Sequence, residues 1–130
     1  MAETIVVAAA VIERDGRFLI ARRQPGVHLE GYWEFPGGKC APGETLAACL
    51  VRELREELDV EAHPGEEILT TTHGYAERRV ELHFLKCDVR GAPIPLLGQE
   101  IRWVARDDLA ALTFPPADAD LIRILMLRTV

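Results

Sequence analysis

Apolar and polar residues alternate along this chain in two rhythms. Thr4–Ile12 is an almost unbroken apolar run, too short to cross a bilayer, and it leads into Glu13-Arg14-Asp15-Gly16. That pattern predicts a strand followed by a turn. Arg17–Arg22 then directs Phe18 and Ile20 inward with charged neighbours outward, completing a β-hairpin around Asp15-Gly16. Gln24–Gly31, punctuated by Pro25, Gly26 and Gly31, reads as a loop. Tyr32–Phe35 reads as a short aromatic strand that stops at Pro36-Gly37-Gly38, and Lys39–Gly43 as a second loop. From Glu44 and Thr45 the rhythm changes. Ala47, Leu50, Val51, Leu54 and Leu58 fall into one apolar stripe of a helix that ends near Leu58.

Glu66–Thr72 and Arg78–Val89 return to the period of strands, the latter with Val80, Leu82 and Phe84 alternating against Arg79, Glu81 and His83. Gly91–Gly98, with Pro93 and Pro95, connects them to a short strand at Ile101–Val104. Asp107–Leu112 predicts a helical turn, and Ala117–Leu127 a final helix behind Pro115-Pro116. No repeat, low-complexity tract or linker divides the 130 residues. The expectation is one domain, 1–130, of the α/β (α+β) class with mixed strands.

Composition narrows the partners. With 48% hydrophobic and 28% charged residues the chain is globular in character. A formal net charge of -6 and scattered arginines argue against a nucleic-acid polymer, which a basic patch would grip. A polyanionic small molecule stays open if cations and a few arginines neutralise it locally. Cys40, Cys49 and Cys87 are odd in number and lack CxxC spacing, which argues against a disulfide framework or a zinc site and for a reducing cytoplasm. Without a basic segment ahead of it, the first apolar run reads as neither signal peptide nor membrane anchor.

The candidate chemistry lies on the first helix. At ~100° per residue Glu53, Glu56 and Glu57 share a face roughly 110° from the centre of the apolar stripe. Like charges at this spacing repel. A divalent cation would relieve them, and an all-oxygen set suits Mg²⁺ or Mn²⁺. An isolated RExxEE string is more often a solvated charged face. Here it sits in a longer pattern: Gly38, five residues to Glu44, seven to Arg52-Glu53, then Leu54, Glu56-Glu57 and Val60. This 23-residue stretch resembles the Nudix box, GX5EX7REUXEEXGU with U aliphatic, with Asp59 in place of the box's last Gly. Asp is among the few residues that tolerate the left-handed conformation a helix end favours.

The resemblance implies a Nudix-type α/β/α sandwich with a mixed β-sheet and a catalytic loop–helix–loop. It implies Glu53, Glu56 and Glu57 as metal ligands, joined by the carbonyl of Gly37 or Gly38, with Glu53 also the base that activates water. Glu44 would support the metal site and Arg52 orient the glutamates. Beyond the box, Arg22-Arg23, His28, Trp33-Glu34-Phe35-Pro36-Gly37-Gly38-Lys39 and Phe114-Pro115-Pro116-Ala117-Asp118 resemble the MutT-type branch, whose members hydrolyse nucleoside triphosphates to monophosphate and pyrophosphate. Substrate contacts are therefore expected at Arg23, His28, Glu34, Phe35, Pro36, Gly37, Arg78, Phe114 and Asp118. Phe35 and Phe114 would sandwich a base or belong to the core.

Two departures bear on the substrate. Members specialised for 8-oxo-guanine carry Asn where this chain has Asp118, whereas cytidine-type members carry Asp. Ionised, Asp118 only accepts hydrogen bonds and favours a cytosine amino edge; protonated, it also serves oxidised guanine. A Glu common six residues before the late Trp is Leu97 here, with Glu100 the candidate replacement. The expected partner is a small nucleoside triphosphate, the expected assembly a monomer or homodimer. A dinucleoside-polyphosphate or nucleotide-sugar hydrolase, and a nucleotide sensor that does not cleave, are the competing readings. The first lacks evident extra motifs downstream of the box, and the second conflicts with the retained carboxylates.

Overall fold

A computed structural model describes residues 3–127. The chain runs β1 (Glu3–Val11), β2 (Glu13–Arg14), β3 (Arg17–Arg22), β4 (Trp33–Glu34), β5 (Gly37–Lys39), α1 (Leu46–Leu58), β6 (Glu61–Tyr75), β7 (Arg78–Arg90), β8 (Ile101–Ala105) and α2 (Ala119–Leu127), with 3₁₀ turns at Arg106–Ala111 and Pro116–Asp118. One mixed sheet has the order β5-β1-β7-β6, in which β1 and β7 run parallel and the other pairs antiparallel. A smaller antiparallel sheet gathers β2, β4 and β8 around β3.

The central position of β1 explains its unbroken apolar run, since a strand covered on both faces needs no polar alternation. Ala8, Ala10 and Ile12 pack with Leu50, Leu54 and Leu58 of α1 on one side. Ala9 and Val11 pack with Phe84, Leu121 and Leu125 on the α2 side. Two helical layers thus enclose the mixed sheet as an α/β/α sandwich.

The expected elements are present, with five differences. In β3 Leu19 and Ala21 are buried along with Phe18 and Ile20, because both faces of the small sheet are covered as well. Gly37–Lys39 is no loop but a strand, pairing Gly38 with Ala8 of β1. Strand β6 begins five residues earlier than expected, at Glu61, and bulges between Pro64 and Leu69 absorb Pro64 and Gly65. Helix α2 begins at Ala119, the preceding residues forming the 3₁₀ turn. Finally, α1 buries Cys49, Leu50, Leu54 and Leu58, while Val51 is 44% exposed and Ala47 lies outside. The buried arc is therefore centred near Leu50, closer to the glutamates than the stripe predicted.

Candidate active site

Helix α1 is held at both ends by devices visible in its sequence. Thr45 Oγ1 accepts the Ala48 N–H at 3.0 Å, satisfying one free donor of the first turn. Asp59 takes the left-handed C-cap conformation, φ 54°, and its N–H reaches the Arg55 carbonyl. Within this frame Glu53 and Glu57 fall within about 60° of Leu50 on the helical wheel. They lie on the inner edge of the helix, beside β5. Glu53 retains 14% side-chain exposure against 59% for Glu56.

The glycines of β5 make room for them. A Cβ on Gly38 would stand 2.5 Å from the Glu53 carboxylate carbon. A Cβ on Gly37 would stand 2.0 Å from the Ala8 carbonyl oxygen. Gly37 N–H donates to the Glu57 carboxylate, and the Gly38 carbonyl accepts from Cys49 Sγ at 3.6 Å.

Arg52 organises the other side. Its guanidinium forks onto Glu44 at 2.8 and 2.9 Å, and also reaches Glu53 at 2.9 Å, Glu56 at 3.4 Å and the Lys39 carbonyl at 3.0 Å. These bonds, with one from the Ala41 N–H, hold the Glu44 carboxyl down to about 2. Arg52 thus holds Glu53 and Glu56 beside each other, and no three acidic, histidine or cysteine side chains converge on one point among the described residues.

The remaining carboxylates are buried and crowded. Burial, then the charges of Glu53, Glu34 and Glu56, push Glu57 up to about 8. Burial raises Glu34 against the opposing pull of Arg23, whose Nη1 lies 2.7 Å away. Burial first, and the charge of Glu34 second, push Asp118 up to about 7. Glu34 acts on both Asp118 and Glu57, and Glu53 on Glu57, so these carboxylates form an acidic wall from the Phe-Pro-Pro segment to α1.

Other expected residues are placed less simply. Arg23 Nε also binds the backbone carbonyl of His28, whose side chain lies on the exposed loop. Phe35 and Phe114 stack directly on each other, centroids 5.5 Å apart at 23°, and Phe84 meets Phe35 edge-on. A base between two rings needs twice the ~3.5 Å contact distance, so these two do not sandwich one. Pro36 is buried and its carbonyl accepts the Ala10 N–H at 2.7 Å. Arg78 opens β7 opposite Glu3, five residues or roughly 16 Å from His83, which pairs with Ala8; it does not join the carboxylates. Glu100 is bound by Arg22 at 3.5 Å and Arg102 at 2.9 Å. Two residues were not foreseen: Cys49 beneath Gly38, and buried Gln99, whose amide reaches the Glu57 carbonyl. The Gln99 contact spans 42 residues and leaves no local signal.

A sequence profile described as NUDIX domain matches residues 7–123. The chain belongs to the Nudix family. It is 37% identical over 123 residues to the CTP pyrophosphohydrolase of Escherichia coli K12, covering 94% of this chain and 91% of that protein. It is 36% identical over 127 residues to the 8-oxo-dGTP diphosphatase of Haemophilus influenzae, covering 96% and 93%. Among solved structures, the E. coli ORF135 protein superposes with a TM-score of 0.86 at 36% identity, over 96% of this chain and 90% of that one. A MutT protein from methicillin-resistant Staphylococcus aureus gives 0.80 at 34% identity, over 97% and 98%. The Nudix box, the mixed sheet and the two helical layers agree with this membership. No described helix is long and apolar enough to cross a membrane, and all three cysteines are free thiols.

Proposed function

We propose that this Nudix hydrolase is a Mg²⁺- or Mn²⁺-dependent nucleoside triphosphate pyrophosphohydrolase that acts on oxidised or modified nucleotides such as 8-oxo-dGTP. The observation that carries the reading is the continuous acidic wall from Asp118 through Glu34 to Glu57 and Glu53, with Arg23 and Arg52 as its cations. A nucleotide laid along it meets a base reader at one end and hydrolytic groups at the other.

The donor set fits a hard cation. Glu53, Glu56 and Glu57, with the carbonyl of Gly37 or Gly38, offer oxygen only. Burial first, and then the charges of Glu53, Glu34 and Glu56, disfavour the ionised Glu57, a cost that a cation bound there would offset. When bound, the cation supplies charge neutralisation for the phosphate chain. Glu53, aligned by Arg52, accepts the proton of the attacking water. The water oxygen bonds to the β-phosphorus, the bridging bond to the α-phosphate oxygen breaks, and monophosphate and pyrophosphate leave. Arg23 and His28 face the phosphates, Arg52 and Glu44 fix Glu53, and Asp118 reads the base.

A CTP or modified-dCTP substrate is the second reading. Asp118 favours it when ionised, and a relative of 37% identity is named CTP pyrophosphohydrolase. The deciding experiment is pyrophosphatase-coupled phosphate release over a panel of 8-oxo-dGTP, CTP, dGTP and UTP with Mg²⁺. Cleavage of 8-oxo-dGTP or CTP at least about tenfold above the other two is expected, a ratio within reach of one discriminating hydrogen bond. A folded protein that cleaves no triphosphate would overturn the proposal.

A further inference from the structure

Contacts from outside the Nudix box also reach α1. Its last carbonyls have no donor within the helix. Ile94 N–H satisfies Leu58 at 2.8 Å and Leu96 N–H satisfies Glu57 at 3.0 Å. Gln99, only 8% exposed, adds a second bond to Glu57: its Nε2 donates to that carbonyl at 3.2 Å while its Oε1 accepts the Leu97 N–H at 3.0 Å. The same loop is fastened to the substrate side. Gln24 Nε2 donates to the Leu97 carbonyl at 2.7 Å, and Arg22 N–H to the Glu100 carbonyl at 2.9 Å. Arg23, Gln24, Gly98 and Gln99 share the wall of a cleft of about 360 Å³. One line of hydrogen bonds therefore runs from the loop after Arg23, through Leu97 and Gln99, to the backbone of Glu57.

A buried amide that spends its donor on one segment and its acceptor on another fixes their relative position, and an apolar filler of equal volume would not. We infer that Gln99 is a positioning residue for Glu57, holding the last turn of α1 against the substrate-side loop and so setting the aim of the Glu57 carboxylate toward the cation. The inference rests on the proposed role of Glu57 as a ligand.

The test is Mn²⁺ binding by water-proton relaxation, without nucleotide, on wild type, Gln99→Met, Gln99→Glu and Glu57→Gln, alongside kcat and KM. Gln99→Met keeps the volume and loses both bonds. Gln99→Glu keeps the acceptor for Leu97 and loses the donor to Glu57, and it carries the test if Gln99→Met does not fold. Both variants are expected to weaken Mn²⁺ binding about tenfold and lower kcat similarly, with KM within about twofold. If Glu57→Gln weakens Mn²⁺ binding while the folded Gln99 variants match wild type within about twofold, Gln99 is a loop anchor and the inference fails alone. If Gln99→Glu behaves as wild type, the bond to Leu97 suffices and the inference again fails. If Glu57→Gln binds Mn²⁺ as wild type does, the ligand role of Glu57 fails and takes the inference with it.

Discussion

At the scale of single residues, the two carboxylates at the ends of the acidic wall answer to different tests. Glu53→Gln keeps the shape and the contact with Arg52 but removes the base, so kcat should fall by about two or more orders of magnitude with the fold intact. Near-wild-type turnover in the folded variant would move the base elsewhere. Asp118 is held up to about 7 from its ordinary value of 3.8. The folded state therefore binds more protons than the unfolded one between those values, and stability is lost as pH rises from about 3.8 to about 7. Asp118→Asn abolishes that loss, so its thermal midpoint should exceed wild type at pH ~8 and the gap should close toward pH ~4. The same change adds a donor, and kcat/KM should shift toward 8-oxo-dGTP over CTP about tenfold or more. A ratio unmoved at every pH would leave Asp118 without a role in reading the base. The residues of the box were legible because their spacing is local to one loop and one helix. Gln99 and the direct Phe35–Phe114 stack were not, because each depends on a long-range contact or on a separation that no short pattern records.

At the scale of elements, the adjoining glycines of β5 separate architecture from chemistry. Gly37→Ala sets a Cβ against the backbone of β1, which has no room to yield, and should lower stability by several kcal/mol, on the order of 1–3 or more, in chemical denaturation. Gly38→Ala sets it against the flexible end of Glu53, so the fold should survive while turnover falls about tenfold or more. Equal stability losses in the two variants would refute the distinction. Helix α1 shows how far periodicity reaches: its ends were set by Thr45 and Leu58 as the pattern implied, but its inward face was misjudged. Val51 counted as apolar in the stripe, whereas the sheet offers it nothing to pack on, and Cys49 and the stems of Glu53 and Glu57 take the inner arc instead. Amphipathic stems of this kind are hidden from a hydrophobic count because their polar ends dominate it.

At the scale of the whole molecule, the two-layer cover of the sheet fixes how the site responds to pH. The first run of apolar residues announced a strand, but the pairing of β5 with β1 could not be read from Gly37-Gly38-Lys39, since glycine is disfavoured in strands. That pairing is what closes the sheet edge over Glu57 and buries it. Held up to about 8 from 4.5, Glu57 makes the metal-free fold lose stability as pH rises through this interval, because the folded state keeps a proton that the unfolded state has released. A cation at Glu57 competes with that proton and favours the ionised form, so the slope should reverse when metal is present. With Mg²⁺ at about a hundred times its Kd the fold should gain roughly 2.7 kcal/mol, or ~8–12 °C in thermal midpoint, at pH 8. The gain at pH ~5 should be less than half of that, since protons then hold the site. Calorimetry of wild type and Glu57→Gln in chelator and in Mg²⁺ provides the measurement. The variant should be the more stable of the two in chelator at pH ~8 and should gain little from Mg²⁺. An equal Mg²⁺ gain at both pH values, or in the variant, would place the cation away from Glu57.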